Sequence, residues 1–214
     1  LYSILLGDEK MNVKKFIIEL PNPVFQSQIS VEEALVKRRS IRSYKNEPLT
    51  IKEISQILWA AQGITNTRGF RTAPSAGALY PLELYILIGN VLELNSGVYK
   101  YIPHGHKLEK ILDQDKRDDL CSAALGQESI IHGAVVLVFS AVYSRIMRKY
   151  RERGRQYAHI EIGHSAQNVF LQTVSLNLAA VVIGAFDDNH VKKAVNMNDE
   201  ETPLYIMPIG KKIN

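Results

Sequence analysis

The chain has 214 residues, a length that suits one domain of ordinary size, and it carries a formal net charge of +4. Apolar residues make up 46% and charged residues 22%, a balance that argues against intrinsic disorder for most of the chain. The single cysteine, Cys121, rules out an intrachain disulfide and CxxC zinc sites, and no apolar run approaches the roughly 18 residues of a membrane helix.

The first 28 residues predict an irregular N-terminal arm, and residues 29–214 predict a single domain. Within the arm, residues 16–20 are typical of an edge strand, which Pro21 and Pro23 would stop. An arm of this length either wraps a second subunit or is a disordered tail. Because no charged segment is followed by an apolar core and a small-residue cleavage site, we expect the cytoplasm as the compartment.

The rest of the chain predicts short strands mixed with amphipathic helices. Ser30 with Glu33, and Thr50 with Glu53, have the spacing of capping boxes, which indicate helix starts. Because strands and helices do not alternate evenly, we expect an α+β fold. Helices are predicted at 31–39, from 51 to a stop at Gly63, at 115–125, at 156–178 and at 188–195 with Asp188 as its cap, and strands at 82–88, 97–101, 107–112, 134–142, 178–185 and 203–209.

The most distinctive motif lies where the first helix ends. Residues 37–42 read Lys-Arg-Arg-Ser-Ile-Arg, which places four cations and a hydroxyl within six positions. Arginine offers a planar fork of donors and serine one short donor, and together they suit a phosphate group. The alternative is a solvated helix end, where cations interact favourably with the helix dipole.

Three further segments are candidate ligand positions. Residues 72–81 form a loop of small residues between two prolines, which would let backbone N–H groups approach a flat or anionic ligand. Gly184 and Ala185 end a predicted buried strand just before a helix, a common ligand position. Lys211 and Lys212 follow the last strand. An ordinary tight connection and a disordered basic tail are the alternatives for the loop and for the two lysines.

Taken together and in this order, the motifs resemble the FMN-dependent nitroreductase family. They are RRSxR, PSAGALYP, Gly-Ala-Phe-Asp-Asp and Pro-Leu-Tyr-x-x-Pro-x-Gly-Lys, and they cover about residues 18–212. Within the family the chain is most similar to the SagB-type dehydrogenase branch. The resemblance implies a nitroreductase-like α+β fold with a central, mostly antiparallel sheet flanked by helices. It also implies an intertwined homodimer with two FMN sites at the subunit interface.

The resemblance also implies roles for single residues. Arg38 and Ser40 match positions that bind the FMN phosphate and ribityl chain, Arg39 matches a neighbouring contact, and Arg42 matches a cation near flavin N1 and O2. A cation there would stabilise the negative charge of the reduced flavin. The other matching positions are Pro74, Ser75, Ala76 and Gly77 on a loop that reaches FMN from the other subunit, Gly184 and Ala185 with backbone facing N5, and Lys211 and Lys212 as cations over the phosphate, with the register between the two lysines open.

The stretch 145–155 is the most basic part of the sequence. It could be a solvated loop, or a nucleic-acid patch, although Tyr150 is the only nearby aromatic residue. In azoline-oxidising SagB-like enzymes, a Lys-Tyr pair just before the long helix acts on the substrate, and Lys149 and Tyr150 occupy the corresponding place. A lysine with a lowered pKa could accept a proton there. Arg151 follows the pair, where a glycine is usual.

The leading hypothesis is an FMN-dependent oxidoreductase that transfers hydride through flavin N5. It would either reduce nitroaromatic or quinone-like acceptors with NAD(P)H, or carry out SagB-type dehydrogenation of a C–N bond in a peptide-like substrate. The alternatives are a flavin-binding protein without turnover, a subunit of a peptide-modifying complex, and a basic nucleic-acid-binding module. We expect no nucleic-acid partner, no membrane and no metal site, since Glu161 and His164 share a helix face but lack a second cluster.

Overall fold

The computed structural model describes residues 16–213, so the first 15 residues of the predicted arm lie outside it. One sheet forms the centre of this part of the chain, and its strands pair antiparallel throughout. The strands are β1 (Ile17–Glu19), β2 (Tyr44–Lys45), β3 (Leu82–Ile88), β4 (Gly97–Ile102), β5 (Lys107–Leu112), β6 (Val135–Ala141), β7 (Leu178–Ala180) and β8 (Thr202–Lys212). Their order is β1-β5-β4-β3-β6-β8-β2, and β7 also pairs with β8.

Helices cover both faces of the sheet. They are α1 (Val31–Lys37), α2 (Ile51–Gln62), α3 (Arg117–Ala123), α4 (Ser129–His132), α5 (Tyr143–Tyr150), α6 (Arg153–Ser175) and α7 (Asp188–Val195), with a short 3₁₀ turn at Ala76–Ala78. Among the described residues, none of the helices has both the length and the apolarity needed to cross a bilayer. The α+β fold with a mostly antiparallel sheet is therefore confirmed.

The sheet's central strands are apolar on both faces because both faces are covered. Alternate residues of a strand point to opposite sides. Leu84 and Phe139 pack in the cluster that contains α2 and α6, whereas Tyr85 and Val138 pack in the cluster that contains α3 and α7. This two-sided burial accounts for the continuous apolar runs that predicted β3 and β6.

The described end of the arm packs on its own chain. β1 pairs with β5 at the sheet edge, which confirms the predicted edge strand. The backbone of Val24 donates to and accepts from the Gln56 side chain of α2 at 2.8 and 2.9 Å, and the Ser27 hydroxyl lies 2.7 Å from that of Ser175. The domain boundary at residue 28 stays a prediction.

Several element boundaries differ from those predicted. The strand expected at 178–185 ends at Ala180, and Ile183 alone rejoins β8 through a bridge to Ile206. The last strand runs on through Lys212 because β2 and β7 pair with its end. Asp187, not Asp188, caps α7, since its carboxylate accepts from the His190 backbone N–H at 2.8 Å.

The solvated-loop interpretation of residues 145–155 is wrong. These residues form most of α5 and the start of α6. Ile146 is buried, and the backbone of α5 passes so close to Gly154 that a Cβ there would lie 3.1 Å from it. The density of charge suggested a solvent-exposed loop. Instead Ile146, the close approach at Gly154 and ring contacts such as Tyr150 with Tyr157 pack α5 against α6.

A close contact holds β2 against β8. Gly210 faces Tyr44, and a Cβ at Gly210 would lie 2.7 Å from the Tyr44 Cβ. The single Tyr44 hydroxyl hydrogen is shared between the carbonyls of Ile41 and Pro208, which lie 3.0 and 3.2 Å from the hydroxyl oxygen. The segment between α1 and β2, which contains the RRSIR motif, is thereby fixed on the sheet.

We expect Gly210→Ala to lower the free energy of unfolding by about 1–3 kcal/mol, because the added methyl group would overlap Tyr44 and force β2 away from β8. Urea denaturation measures this directly. Ser43→Ala, at an exposed neighbouring position, is the matched control and should change stability little. Equal free energies of unfolding for Gly210→Ala and wild type would contradict the prediction. They would mean that β2 can move away from β8 at no cost in stability.

Candidate active site

The RRSIR segment turns from α1 onto the sheet. Arg39 donates to the carbonyls of Val36 and Arg38 at 2.8 and 2.7 Å, which satisfies carbonyls left open where α1 ends. The Arg38 guanidinium lies 5.4 Å from the centre of the Phe170 ring on α6. The Ile41 N–H then donates to Ala180 of β7 at 2.9 Å. The motif therefore lies between α1, the C-terminal end of α6 and β7.

The two lysines at the end of β8 have different surroundings. Lys211 Nζ lies 2.6 Å from Glu53 Oε1, and the other oxygen of Glu53 accepts from the Thr50 N–H at 2.8 Å in the capping box of α2. Lys212 faces the opposite way, as alternation along a strand requires. It lines a cavity of about 440 Å³ together with Lys37 and Arg39.

This cavity, which we call the cationic cavity, has a mixed lining. Three cations, Lys37, Arg39 and Lys212, stand along its wall, and Phe170 and Leu178 supply apolar surface. The Lys37 ammonium also pairs with Glu33 one helical turn earlier. An excess of positive charge in a concave, partly apolar site favours a ligand with an anionic end.

Gly184 and Ala185 directly follow Ile183, which bridges to β8 after β7 has ended at Ala180. Ile183 and Ile206 exchange both backbone hydrogen bonds, at 2.8 and 3.0 Å. The two small residues that follow are exposed. Their backbone can therefore be approached by a ligand.

The loop formed by residues 74–77, which we call the PSAG loop, has a strained backbone at its exit. Gly77, Ala78 and Tyr80 all have positive φ, at 64°, 54° and 46°. Such angles are ordinary for glycine but unfavourable for alanine and tyrosine. The Ser75 hydroxyl accepts from the Tyr80 N–H at 2.9 Å, which closes the turn.

Lys149 and Tyr150 lie directly over the PSAG loop. A Cβ at Gly77 would be 2.8 Å from the Tyr150 hydroxyl and 3.0 Å from Lys149 Nζ, so the ends of both side chains reach the loop at Gly77. The Tyr150 ring packs edge-on against Tyr157 of α6, with 5.0 Å between ring centres. Arg151, directly after the pair, has φ 50° and ψ −142°, a combination that favours glycine.

One chain does not bring all the predicted site residues together. Arg38 contacts α6 at Phe170, whereas Ser75 of the PSAG loop contacts α6 at Glu161. These positions are nine residues apart, or about 14 Å along a helix. The structure thus groups the RRSIR segment, β7 and Lys212 on one side, and the PSAG loop with Lys149 and Tyr150 on another. Gly184 and Ala185 belong to neither group, because Gly184 lies beside Tyr205 of β8, seven residues or about 23 Å along the strand from Lys212.

The comparison with known protein families identifies the chain. The sequence profile of the nitroreductase family matches residues 35–211. The chain belongs to the nitroreductase family. The resemblance drawn from the motifs is therefore confirmed, and the protein is an oxidoreductase by family.

Two relatives and one solved structure set the level of similarity. A Methanocaldococcus jannaschii protein named as a nitroreductase is 46% identical over 196 residues, covering 92% of this chain and 96% of the relative. The microcin B17-processing protein McbC of Escherichia coli is 28% identical over 169 residues, covering 76% of this chain and 62% of McbC. The crystal structure of a Ralstonia eutropha protein named as a nitroreductase has a TM-score of 0.82 and 28% identity, covering 92% and 90% of the two chains.

A buried carboxylate in this nitroreductase-family chain was missed as a site residue. The Glu161 side chain is 1% exposed, and neither of its oxygens has a hydrogen bond of good geometry with the described residues. Burial raises the pKa of Glu161 to about 7, although the Ser75 hydroxyl and the Arg71 guanidinium partly offset the rise. The sequence did carry a signal, because Glu161 falls on the buried stripe of α6 with Ala158, Ile162 and Ser165.

Glu161 and the two histidines near it on α6 do not form a cluster of metal ligands. Among residues 16–213, no three His, Cys, Asp or Glu side chains gather as metal ligands would. Glu161 is buried while His159 and His164 are exposed, so these α6 residues point in different directions. Their proximity in sequence does not produce a ligand set.

We expect Glu161→Gln to stabilise the fold at high pH. The folded-state pKa of Glu161 is raised, from 4.5 to about 7, so its favourable effect is complete below pH 4.5 and is lost as pH rises through 7. Wild type should therefore lose about 2.5 kcal/mol relative to the variant between pH 5 and pH 8. Urea denaturation at several pH values measures the difference.

Glu200→Gln is the matched control for this titration, because Glu200 is exposed. Its free energy of unfolding should follow that of wild type at every pH. Parallel curves for Glu161→Gln and wild type would mean that Glu161 ionises in the folded protein as readily as in the unfolded chain.

Proposed function

We propose that the protein is an FMN-dependent oxidoreductase that acts as a homodimer. In this proposal each FMN lies between the RRSIR side of one subunit and the PSAG loop of the other. The convergence of the RRSIR segment, β7 and Lys212 at one edge of the sheet carries the proposal. It collects cations suited to a phosphate in one place.

The residues present fit the phosphate end of FMN. A phosphate monoester carries a charge of about −1.5 to −2 at pH 7, and cationic donors offset the cost of removing it from water. Arg38, Ser40 and Lys212 would hold it. Of these, Lys212 lines the cationic cavity, where Lys37 adds positive charge. Arg39 would contribute charge more than hydrogen bonds, since its guanidinium is engaged with two carbonyls. We assign the closing cation to Lys212, because Lys211 is paired with Glu53.

The flavin ring would lie over the segment that leads into β2. When bound, FMN supplies hydride acceptance and donation at N5. Arg42 is exposed beside Tyr44, and its charge partly offsets the rise that burial causes in the Tyr44 pKa. We assign it to the N1–O2 edge, where a fixed cation stabilises negative charge. The exposed backbone of Gly184 and Ala185 would face N5.

The second half of the site would come from a second copy of the chain. α1 and α6 carry apolar side chains that face solvent in the single chain, including Leu35, which is 54% exposed, and Ile160, which is 53% exposed. Gly163 lies on the same outward face of α6, with nothing within 4 Å of its Cβ position. Such a face, with a small residue that permits close approach, fits a partner helix. Pairing here would carry the PSAG loop of each subunit toward the other.

Two reactions fit the assembled site. Reduction of nitroaromatic or quinone-like acceptors with NAD(P)H requires only the flavin and space above it. The contact of Lys149 and Tyr150 with the PSAG loop specifically favours a second candidate, SagB-type dehydrogenation, in which Lys149 would take a proton from the substrate. The McbC relative, whose name refers to microcin B17 processing, supports this candidate and also a role as a subunit of a peptide-modifying complex.

The visible spectrum of the purified protein tests the proposal. We expect flavin bands, either as isolated or after addition of FMN. Anaerobic addition of NADPH and NADH then separates the candidates, because bleaching indicates a reductase and persistence indicates the dehydrogenase or a passive flavin protein. A protein that neither contains nor takes up flavin would refute the cofactor assignment.

We expect Lys212→Ala to weaken FMN binding about tenfold, because it removes one charge-assisted contact worth about 1.5 kcal/mol. Quenching of FMN fluorescence on titration gives the Kd. Lys211→Ala is the matched variant, and it should lower the free energy of unfolding through the loss of its Glu53 pair while changing the Kd less than twofold. The reverse pattern would place Lys211 at the phosphate.

We expect Gly163→Arg to convert the dimer into a folded monomer, because the open Cβ position tolerates a side chain within one subunit but not between two. Sedimentation velocity measures the mass, and circular dichroism checks the fold. Gly163→Ala, a much smaller change, should remain dimeric. An arginine variant that is monomeric yet binds FMN as tightly as wild type would rule out a site shared between subunits.

A further inference from the structure

The underside of the PSAG loop holds a buried polar cluster to which the proposed cofactor chemistry assigns no role. Glu161 of α6 lies beneath Ser75 and Arg71, with neither carboxylate oxygen well hydrogen-bonded among the described residues. The Arg71 guanidinium donates to Gln62 Oε1 at 2.8 Å, while Gln62 Nε2 is buried without an acceptor. Unmatched buried groups of this kind cost stability, so they call for an explanation.

The Ser75 hydroxyl can make only a limited set of hydrogen bonds. It has one hydrogen to donate and two lone pairs to accept with. The Tyr80 N–H uses one lone pair at 2.9 Å. What remains is one donor and one acceptor, and Glu161 is close enough to use either. An ionised Glu161 can only accept the Ser75 hydrogen, whereas a protonated Glu161 can donate to Ser75 Oγ and leave that hydrogen free for another acceptor.

We infer that Glu161 is a positioning residue for Ser75: in its protonated form it donates to Ser75 Oγ, and the Ser75 hydrogen is then directed out of the loop toward an acceptor on the bound cofactor. In the ionised form the carboxylate accepts from Ser75, and the hydrogen is directed inward. The inference rests on the proposed function, since the outward acceptor belongs to FMN held by the partner subunit. It assigns Glu161 no contact with the cofactor.

The charges around Glu161 are compatible with a carboxyl group that holds its proton near neutral pH. Arg71 is the cation that faces it from the loop, and Arg71 itself is influenced by Tyr80, by Glu83 of β3 and by Arg145 of α5. Glu83 pairs with Lys100 at 3.0 Å and with Arg145. Because Glu83 also supplies negative charge near Arg71, the Arg71 guanidinium has a carboxylate near it whether or not Glu161 is ionised. On the α2 side the neighbouring group is the neutral Gln62. Burial then keeps the pKa of Glu161 at about 7.

The inference predicts a specific pH dependence of FMN binding. Below pH 7 the Ser75 hydrogen is available to the cofactor, and above pH 7 it is committed to Glu161. One neutral hydrogen bond corresponds to about a three- to tenfold change in Kd. In Glu161→Gln the amide NH2 is able to donate to Ser75 at every pH, so the variant keeps the donor that wild type has only when protonated. The phosphate of FMN titrates in the same range, but it does so equally in all variants.

The experiment compares FMN dissociation constants, from fluorescence quenching, for dimeric wild type, Glu161→Gln, Ser75→Ala and the double variant at pH 6, 7 and 8. The ratio of the wild-type Kd to the Glu161→Gln Kd should rise about three- to tenfold from pH 6 to pH 8. Between Ser75→Ala and the double variant the same ratio should be constant, because the hydroxyl is absent from both. Circular dichroism of each variant verifies the fold.

Three outcomes would overturn the inference, and they differ in what else they affect. FMN binding with a constant ratio of Kd values would refute the role of Glu161 while leaving the proposed function intact. A ratio that rises equally in the Ser75→Ala background would show that Glu161 acts by charge alone and not through Ser75. Failure of wild type to bind FMN at any of the three pH values would refute the proposed function and the inference together.

Discussion

The close approach of β2 to the end of β8 is the contact on which the RRSIR side of the site depends. Gly210 permits it by leaving space for Tyr44, and Tyr44 secures it by donating to two carbonyls. The register that follows pairs Tyr44 with Lys212 and Lys45 with Lys211. Three stretches that are far apart in sequence, at 38–42, 178–180 and 211–212, are neighbours at this end of β8. The site is therefore a property of strand pairing at one sheet edge.

The central fold was predictable because its signals are local. The Ser30 N-cap places the start of α1, the Thr50–Glu53 capping box places the start of α2, and two-sided burial gives β3 and β6 unbroken apolar runs. The predicted strand boundaries were wrong where the neighbouring strands determine how far a strand extends. β8 extends to Lys212 only because β2 and β7 flank its end, and β7 stops at Ala180 although the apolar run continues. Charge misled the interpretation of α5, whose single buried residue, Ile146, gives little periodicity to detect.

The candidate site shows the same division. Motif order was enough to name the family and to nominate the arginines, the PSAG loop and the small residues after β7. It could not distinguish Lys211 from Lys212, because the distinction lies in the alternation of a strand whose extent was mispredicted and in a pairing with Glu53. The motifs also did not identify Glu161 as a site residue. The role of a charged residue on a buried helix stripe depends on which side chains pack against it. Here that neighbour is a loop some 86 residues earlier in the sequence.

The separation of the two residue groups along α6 has a thermodynamic consequence. If a cofactor is held by groups from two chains, then its binding and the association of the chains are linked equilibria, and each strengthens the other by the same factor. Dilution would then release cofactor without any change in the affinity of the intact site, and saturating cofactor would hold subunits together at concentrations where they would otherwise separate. The fraction of subunits that carry the cofactor would therefore rise with the concentration of the protein.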